Sequence, residues 1–130
     1  MQQVFTSQTT NSRLFDTLFE TAKTASTFNT SRHSAAIVYK RKIIATGVSQ
    51  IKTHPLQKKY GIELKEYLHA EVAAIVNAIN LHGSDILQYC SIYCLRITNT
   101  EKIGISKPCA GCMRAIEAFK IRKIYWTENE

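Results

Sequence analysis

Two short motifs constrain this chain more than anything else in it: His69-Ala70-Glu71 and Pro108-Cys109-Ala110-Gly111-Cys112. Each stands between a polar segment and a stretch of helical periodicity. Val72, Ile75, Val76 and Ile79 recur at i, i+3, i+4 and i+7 behind the first. Cys112, Ala115, Ile116 and Phe119 share one helix face behind the second, and Pro108 suits a helix start. Alone, either motif is ambiguous: a Cys-x-x-Cys pair serves redox chemistry, structural zinc or nothing. Two motifs that each open a helix after a loop point instead to one shared metal site.

The chemistry of that site follows from its donors. One imidazole and two thiolates, from His69, Cys109 and Cys112, leave the fourth tetrahedral position of Zn²⁺ open to water. Such a metal lowers the pKa of its water towards ~7. Helix N-termini, with free N–H groups and a positive dipole end, help to hold the thiolates deprotonated. Glu71 lies two residues from a ligand and is placed to move protons without binding the metal. The competing reading is a closed structural site with Cys90, Cys94 or His82 as fourth ligand, which leaves Glu71 without a role. Cys90 and Cys94 sit four apart in a strand-like stretch and read as buried core thiols.

The remaining elements read in order. Leu14, Phe15, Leu18, Phe19, Ala22 and Ala25 predict an amphipathic helix over about 12–28, capped by Asn11 or Ser12. Ala35–Tyr39 and Ile43–Val48 flank Lys40-Arg41-Lys42 as a hairpin. Residues 49–65 are polar and form a long loop, a kind that is often functional. Gly83 suits a helix C-cap. Cys90–Ile97 is a third strand, 98–107 an irregular segment, and Lys123–Trp126 a fourth strand. The order α-β-β-α-β-α-β predicts an α/β fold with helices on both faces of a mixed sheet of about four strands. A single domain over 1–130 is expected, with 1–11 a loose tail or short lead-in strand.

Composition excludes several classes. No apolar run approaches the roughly 18 residues that span a membrane, and the polar N-terminus does not read as a signal peptide. Four cysteines with no sign of secretion place the chain in a reducing cytoplasm. The net charge is +7, and residues 1–68 hold ten of the 17 Lys and Arg but four of the 10 Asp and Glu. That surplus suits phosphate-bearing partners, free nucleotides or a polynucleotide, or is a solvated basic face.

The His-x-Glu and Pro-Cys-x-x-Cys pair resembles the signature of the cytidine and deoxycytidylate deaminase superfamily. The resemblance covers about Arg32 to Trp126, and Thr46–Pro55 is similar to small bacteriophage deaminases of the deoxycytidylate type. It implies a cytidine-deaminase-like three-layer α/β/α sandwich, a zinc cofactor on His69, Cys109 and Cys112, and Glu71 as the proton shuttle. It also implies hydrolysis of a cytosine 4-amino group, with the backbone of Ala70 and Cys109 against the base. Where many members place a sugar-binding Asn, this chain has Ser49, with Gln50 as a substitute. The segment before Pro108 is longer than usual in the family. Many members also carry a fifth strand, so a sheet ending at the fourth leaves an edge for a homo-oligomer to cover.

Further substrate-binding candidates are Lys52, Arg96 and Lys107 for a phosphate, His54 at the pocket rim and Tyr125 against the base or sugar. The expected substrate is a deoxycytidylate-type nucleotide. The alternatives are a base in transfer RNA or single-stranded DNA, and a non-catalytic zinc module.

Overall fold

The computed structural model describes residues 2–25, 32–51, 55–60 and 68–129. Lys52 and His54, two of the expected substrate-binding residues, lie outside them. The hairpin forms as predicted, with β2 (Arg32–Tyr39) antiparallel to β3 (Lys42–Val48). Its turn residues Lys40 and Arg41 both have positive φ, 48° and 68°, the primed-turn geometry that matches strand twist but favours Asn and Gly. β4 (Ser91–Ile97) runs antiparallel to β2, and β6 (Lys123–Trp126) runs parallel to β4.

Two further strands widen the expected four-stranded sheet: one is the short lead-in strand that was the alternative to a loose tail, and the other was not foreseen. β1 (Gln2–Val4) pairs parallel with β6, and β5 (Ile103–Gly104) pairs with β4 beyond the end of β6. The sheet order is β1-β6-β4-β2-β3. Residues 1–11 are therefore not a loose tail throughout. Phe5, whose N–H donates to the Trp126 carbonyl at 2.9 Å, is buried and anchors β1. The β6 edge expected to stand open is covered by β1, so it offers no argument for an oligomer.

Alternation along the strands sorts the core onto two faces. On one, α1 (Ser12–Lys23) buries Leu14, Leu18 and Ala22 against Phe5, Ala36, Leu95 and Ile97. Asn11 caps it by accepting from the N–H groups of Arg13 and Leu14. The helix stops at Lys23 rather than near 28, with Thr24 as its C-cap. On the other face lie α3 (Ala70–His82) and α4 (Ala110–Ala118), packed on Ala35, Ile37, Ile92 and Cys94. The result is the expected three-layer α/β/α sandwich. The loop expected over 49–65 contains α2 (Pro55–Lys59), and a 3-10 turn (Asp85–Tyr89) precedes β4. Among the described residues no helix is long and apolar enough to cross a membrane.

The contact that places α3 is its approach to β3. A Cβ on Gly47 would overlap the backbone of Ala74 and lie 2.5 Å from the Ala70 carbonyl oxygen. Ala70, Ala73, Ala74 and Ala78 keep the facing helix surface equally low. Gly83, at φ 80°, ends the helix as predicted, its N–H donating to Ile79 at 2.8 Å. Because the obstruction at Gly47 is backbone, no side-chain rotamer relieves it. Gly47→Val is expected to destabilise the fold by about 3 kcal/mol or more. A urea midpoint unchanged from the parent would refute the close packing described.

Candidate metal centre and active site

The N-termini of α3 and α4 face one another, and each delivers its ligands from the first turn. His69 is the N-cap of α3 and Cys109 the N-cap of α4. Their extended backbone at the cap turns both side chains into the gap between the helices. Cys112 follows one turn later, buried, with its N–H donating to Cys109 Sγ at 3.4 Å. His69 Nδ1 lies 3.9 Å from Cys109 Sγ and 3.4 Å from Cys112 Sγ. Tetrahedral zinc bound by one N and one S sets that separation at about 3.6 Å. All three donor atoms lie within 4.8 Å of one another, and no other such group occurs among the described residues. The donor set and its spacing therefore fit zinc.

The alternative fourth ligands are elsewhere. His82 ends α3 with its Nε2 3.2 Å from the Ile44 carbonyl oxygen. Cys90 and Cys94 are free and buried in the core, Cys90 donating to the Ile86 carbonyl oxygen. Burial, then the neighbouring Glu71, pushes the Cys94 thiol well above its usual range. It is a packing residue, not a ligand.

The two ligand thiols divide one proton. Hydrogen bonds from the Cys112 thiol, His69 and the Cys112 N–H hold Cys109 down at about 3. The Cys109 sulfur beside it and burial push Cys112 far up. Without a metal the pair is thus one thiolate sharing the other's proton.

Glu71 occupies the first turn of α3, 6% exposed. Burial raises its carboxyl pKa, while His69 and the N–H at the helix start draw it back. This carboxyl is dry, two residues from a metal ligand and close to Cys94, with burial the dominant influence on it.

The rim is built from strand ends. Gln50 and Leu68 exchange backbone hydrogen bonds at 3.1 and 2.7 Å, which ties the end of β3 to the residue before His69. Ser49 is buried there, and its Oγ accepts from the His33 N–H at 3.0 Å. Arg96 stands opposite His33 in the β2–β4 register, and alternation puts both on the α3 side with Ala35 and Cys94. Gly104 leaves room for the Arg96 side chain, which would lie 3.2 Å from a Cβ placed there. By sequence alone His33 reads as a surface or structural histidine. Burial, Arg96 and His69 instead lower its pKa to about 4, so it is neutral beside the site. The signal was present in its alternation with Ala35 and Ile37.

Lys107 extends from the loop before Cys109 with Nζ 5.3 Å from the Trp126 ring centroid. Tyr125 is not brought to the site. It stacks on Tyr93 at 4.3 Å on the α1 face, and Trp126 occupies the site face in its place. Two supports escaped the sequence reading. Arg114 on α4 donates to the Tyr60 carbonyl oxygen at 2.6 and 3.1 Å, holding the segment after α2 against α4. Ser106 donates to the Cys94 carbonyl oxygen at 2.6 Å and meets Thr127 Oγ1 at 2.8 Å, fixing the loop that leads to Cys109.

With this fold and metal cluster, the chain belongs to the cytidine and deoxycytidylate deaminase zinc-binding region family, whose sequence model matches residues 8–128. It carries that family's zinc-binding region, with His69, Cys109 and Cys112 placed to hold the metal. No curated protein matches it in sequence. Among solved structures, guanine deaminase from Bacillus subtilis superposes with a TM-score of 0.58 at 20% identity, over 92% of this chain and 64% of that one. A structure from work on tRNA:A34 deaminases, which edit A to I at the wobble position of transfer RNA, gives 0.57 at 18%, over 88% and 74%. The apo dCMP deaminase of cyanophage S-TIM5 gives 0.54 at 19%, over 90% and 84%. These likenesses establish the fold. The chain spans less than two thirds of the guanine deaminase.

Metal uptake should report the shared proton. Cys109 is already ionised at neutral pH, so binding zinc expels the proton held by Cys112. Zinc affinity is expected to rise about tenfold per pH unit between roughly pH 7 and 8.5. Cys112→Ser should abolish this slope along with most of the affinity. A pH-independent affinity in a competition titration with a chelator would contradict the assignment.

Proposed function

We propose that this protein hydrolyses the 4-amino group of a cytosine-type base on a deoxycytidylate-type nucleotide, releasing ammonia and leaving uracil. The observation that carries the reading is the buried Glu71 carboxyl in the first turn of α3, beside the His69–Cys109–Cys112 cluster. A zinc ion held by those three residues supplies a water whose pKa is lowered towards ~7. Glu71 takes a proton from the attacking water and delivers it to ring N3. It then carries the second proton to the departing amino group, so water is added, the C4–N bond breaks and ammonia leaves. Burial raises the carboxyl's pKa and so makes it a competent donor in the second half of that cycle.

Binding roles follow from position. The backbone at Ala70 and Cys109 borders the gap between the helices, where the ring would lie. Ser49 and Gln50 close one side, and neutral His33 offers a ring hydrogen bond to the sugar. Arg96 and Lys107 are the cations of the rim and would take the phosphate. The structural neighbours, deaminases of guanine, transfer-RNA adenosine and dCMP, support the general chemistry. Among them the cyanophage enzyme, also solved with dCMP and dUMP, favours the deoxycytidylate reading.

A second reading is deamination of a base within a polynucleotide, favoured by the charge of +7 and by the likeness to the transfer-RNA structure. An ammonia-release screen separates the two. It should include cytosine, deoxycytidine, dCMP, dCTP, guanine, methylated and hydroxymethylated dCMP, single-stranded DNA and transfer RNA. The expected result is turnover of dCMP-type nucleotides. Turnover of transfer RNA or single strands alone would replace this reading with the second.

Glu71→Gln should reduce ammonia release by roughly 10²–10⁴-fold with zinc content and melting temperature retained. Unchanged release would remove Glu71 from the chemistry. Arg96→Gln is expected to raise KM for dCMP by roughly tenfold or more while leaving deoxycytidine unaffected. An equal loss on both substrates would show that Arg96 does not bind phosphate.

A further inference from the structure

Trp126 is the chain's only tryptophan, and it is buried on the α3 side of the sheet. It ends a row of paired residues that crosses the strands: Gly47, Ala35, Cys94 and Trp126. α3 presses on Gly47, and Cys94 is an electrostatic neighbour of Glu71 and Cys112. Trp126 therefore stands one strand beyond the floor of the metal site. Its ring is engaged on two sides. The indole N–H donates to Glu128 Oε2 at 3.0 Å. Over the face lies the Lys107 ammonium, its Nζ 5.3 Å from the ring centroid. Lys107 is exposed, two residues before the ligand Cys109, and forms no ion pair among the described residues. Backbone bonds keep the two segments side by side. The Ser106 N–H donates to the Thr127 carbonyl at 2.9 Å, and the Thr127 N–H donates to Ser106 Oγ at 2.8 Å.

This arrangement differs from a salt bridge in its consequence. A carboxylate that held the ammonium would offset its charge, whereas an aromatic face holds it and leaves the charge open to an anion. Glu128 bonds the indole edge instead of the lysine. An anion at that edge polarises the ring and makes its face more negative. We infer that Trp126 is a positioning residue for phosphate: its face holds the Lys107 ammonium, not neutralised, beside the metal centre, and Glu128 orients the ring. Trp126 acts through Lys107, and its role rests on the proposed contact between Lys107 and the substrate's phosphate.

Because the chain has one tryptophan, replacing tryptophan during expression by its mono-, di- and trifluorinated forms alters this ring alone. Fluorine withdraws electron density from the face at nearly constant shape. KM for dCMP should rise stepwise along the series, to roughly fivefold for the trifluorinated protein, and the preference for dCMP over deoxycytidine in kcat/KM should fall to match. Trp126→Leu should lose at least as much, Trp126→Phe should recover part of it, and Trp126→Leu should add nothing to Lys107→Gln. A flat fluorinated series, or losses that add in the double variant, would overturn the positioning role. The contact also has a readout without turnover. In the zinc-loaded protein the ring should shift the Lys107 ε-methylene protons upfield. Inorganic phosphate should move those signals with an affinity at least about threefold tighter than in the trifluorinated protein. Protons at their ordinary positions would overturn the contact itself. A parent protein that binds phosphate in this way yet releases no ammonia from dCMP would end the deoxycytidylate reading and leave the positioning role standing. Turnover of dCMP with the same preference over deoxycytidine in every variant would do the reverse.

Discussion

The absence of a side chain at Gly47 lets α3 lie against β3 with backbone nearly touching backbone. Most of the site depends on that approach. It sets the height of α3 above the sheet, and with it the position of the first turn that carries His69 and Glu71. The α3 surface is built to match, since alanines at 70, 73, 74 and 78 are all buried. With α3 that low, Glu71 is pressed into the core beside Cys94, and its desolvation follows from packing, not from any special partner. α4 then needs to deliver only two thiols to a gap that α3 has already defined. The buried links from Ser106 to Cys94 and Thr127 hold the approach to Cys109 in place.

The electrostatics of the centre follow from the two helix starts. Each contributes free N–H groups and the positive end of a dipole to the same small volume. One such N–H, from Cys112, already bonds Cys109 Sγ. Two anionic thiolates and a buried carboxyl would repel one another in a dry site. The metal-free protein resolves this by leaving Cys112 protonated and raising Glu71. A dication held there would reverse the balance at Cys112 by displacing its proton. What separates a ligand from the carboxyl next to it is geometry. Cys112 is within reach of the metal position, and Glu71 is beside it.

How much of this was legible depended on how local each signal was. The three ligands and Glu71 stand in short motifs, and α1, α3, α4 and the hairpin announce themselves by periodicity. β5 was not legible and β1 only as one of two alternatives, because strands of two and three residues carry no alternation to read. Their pairing comes from the neighbouring strand, and only Phe5 and Ile103 are buried as anchors. Tyr125 was misplaced by a choice of face. Along β6, Ile124 and Trp126 point to the α3 side, so Tyr125 must point away. His33 was overlooked for the converse reason: its facing is fixed by Ala35 and Ile37, but its neighbours across the sheet, Arg96 and Ser49, are far away in sequence.

The charge surplus takes on a different meaning once the faces are separated. Read along the chain, ten cations ahead of His69 suggest a basic surface leading to the metal. In the fold, Arg13, Arg41 and Lys42 gather on the opposite side of the sheet, while Lys23 and Arg32 are neutralised by Glu20 and Glu101. The cations that border the metal site, Arg96 and Lys107, come from the half of the chain whose charges almost cancel. Beside it stand a neutral imidazole, His33, and a serine, Ser49, whose hydroxyl accepts from the His33 backbone.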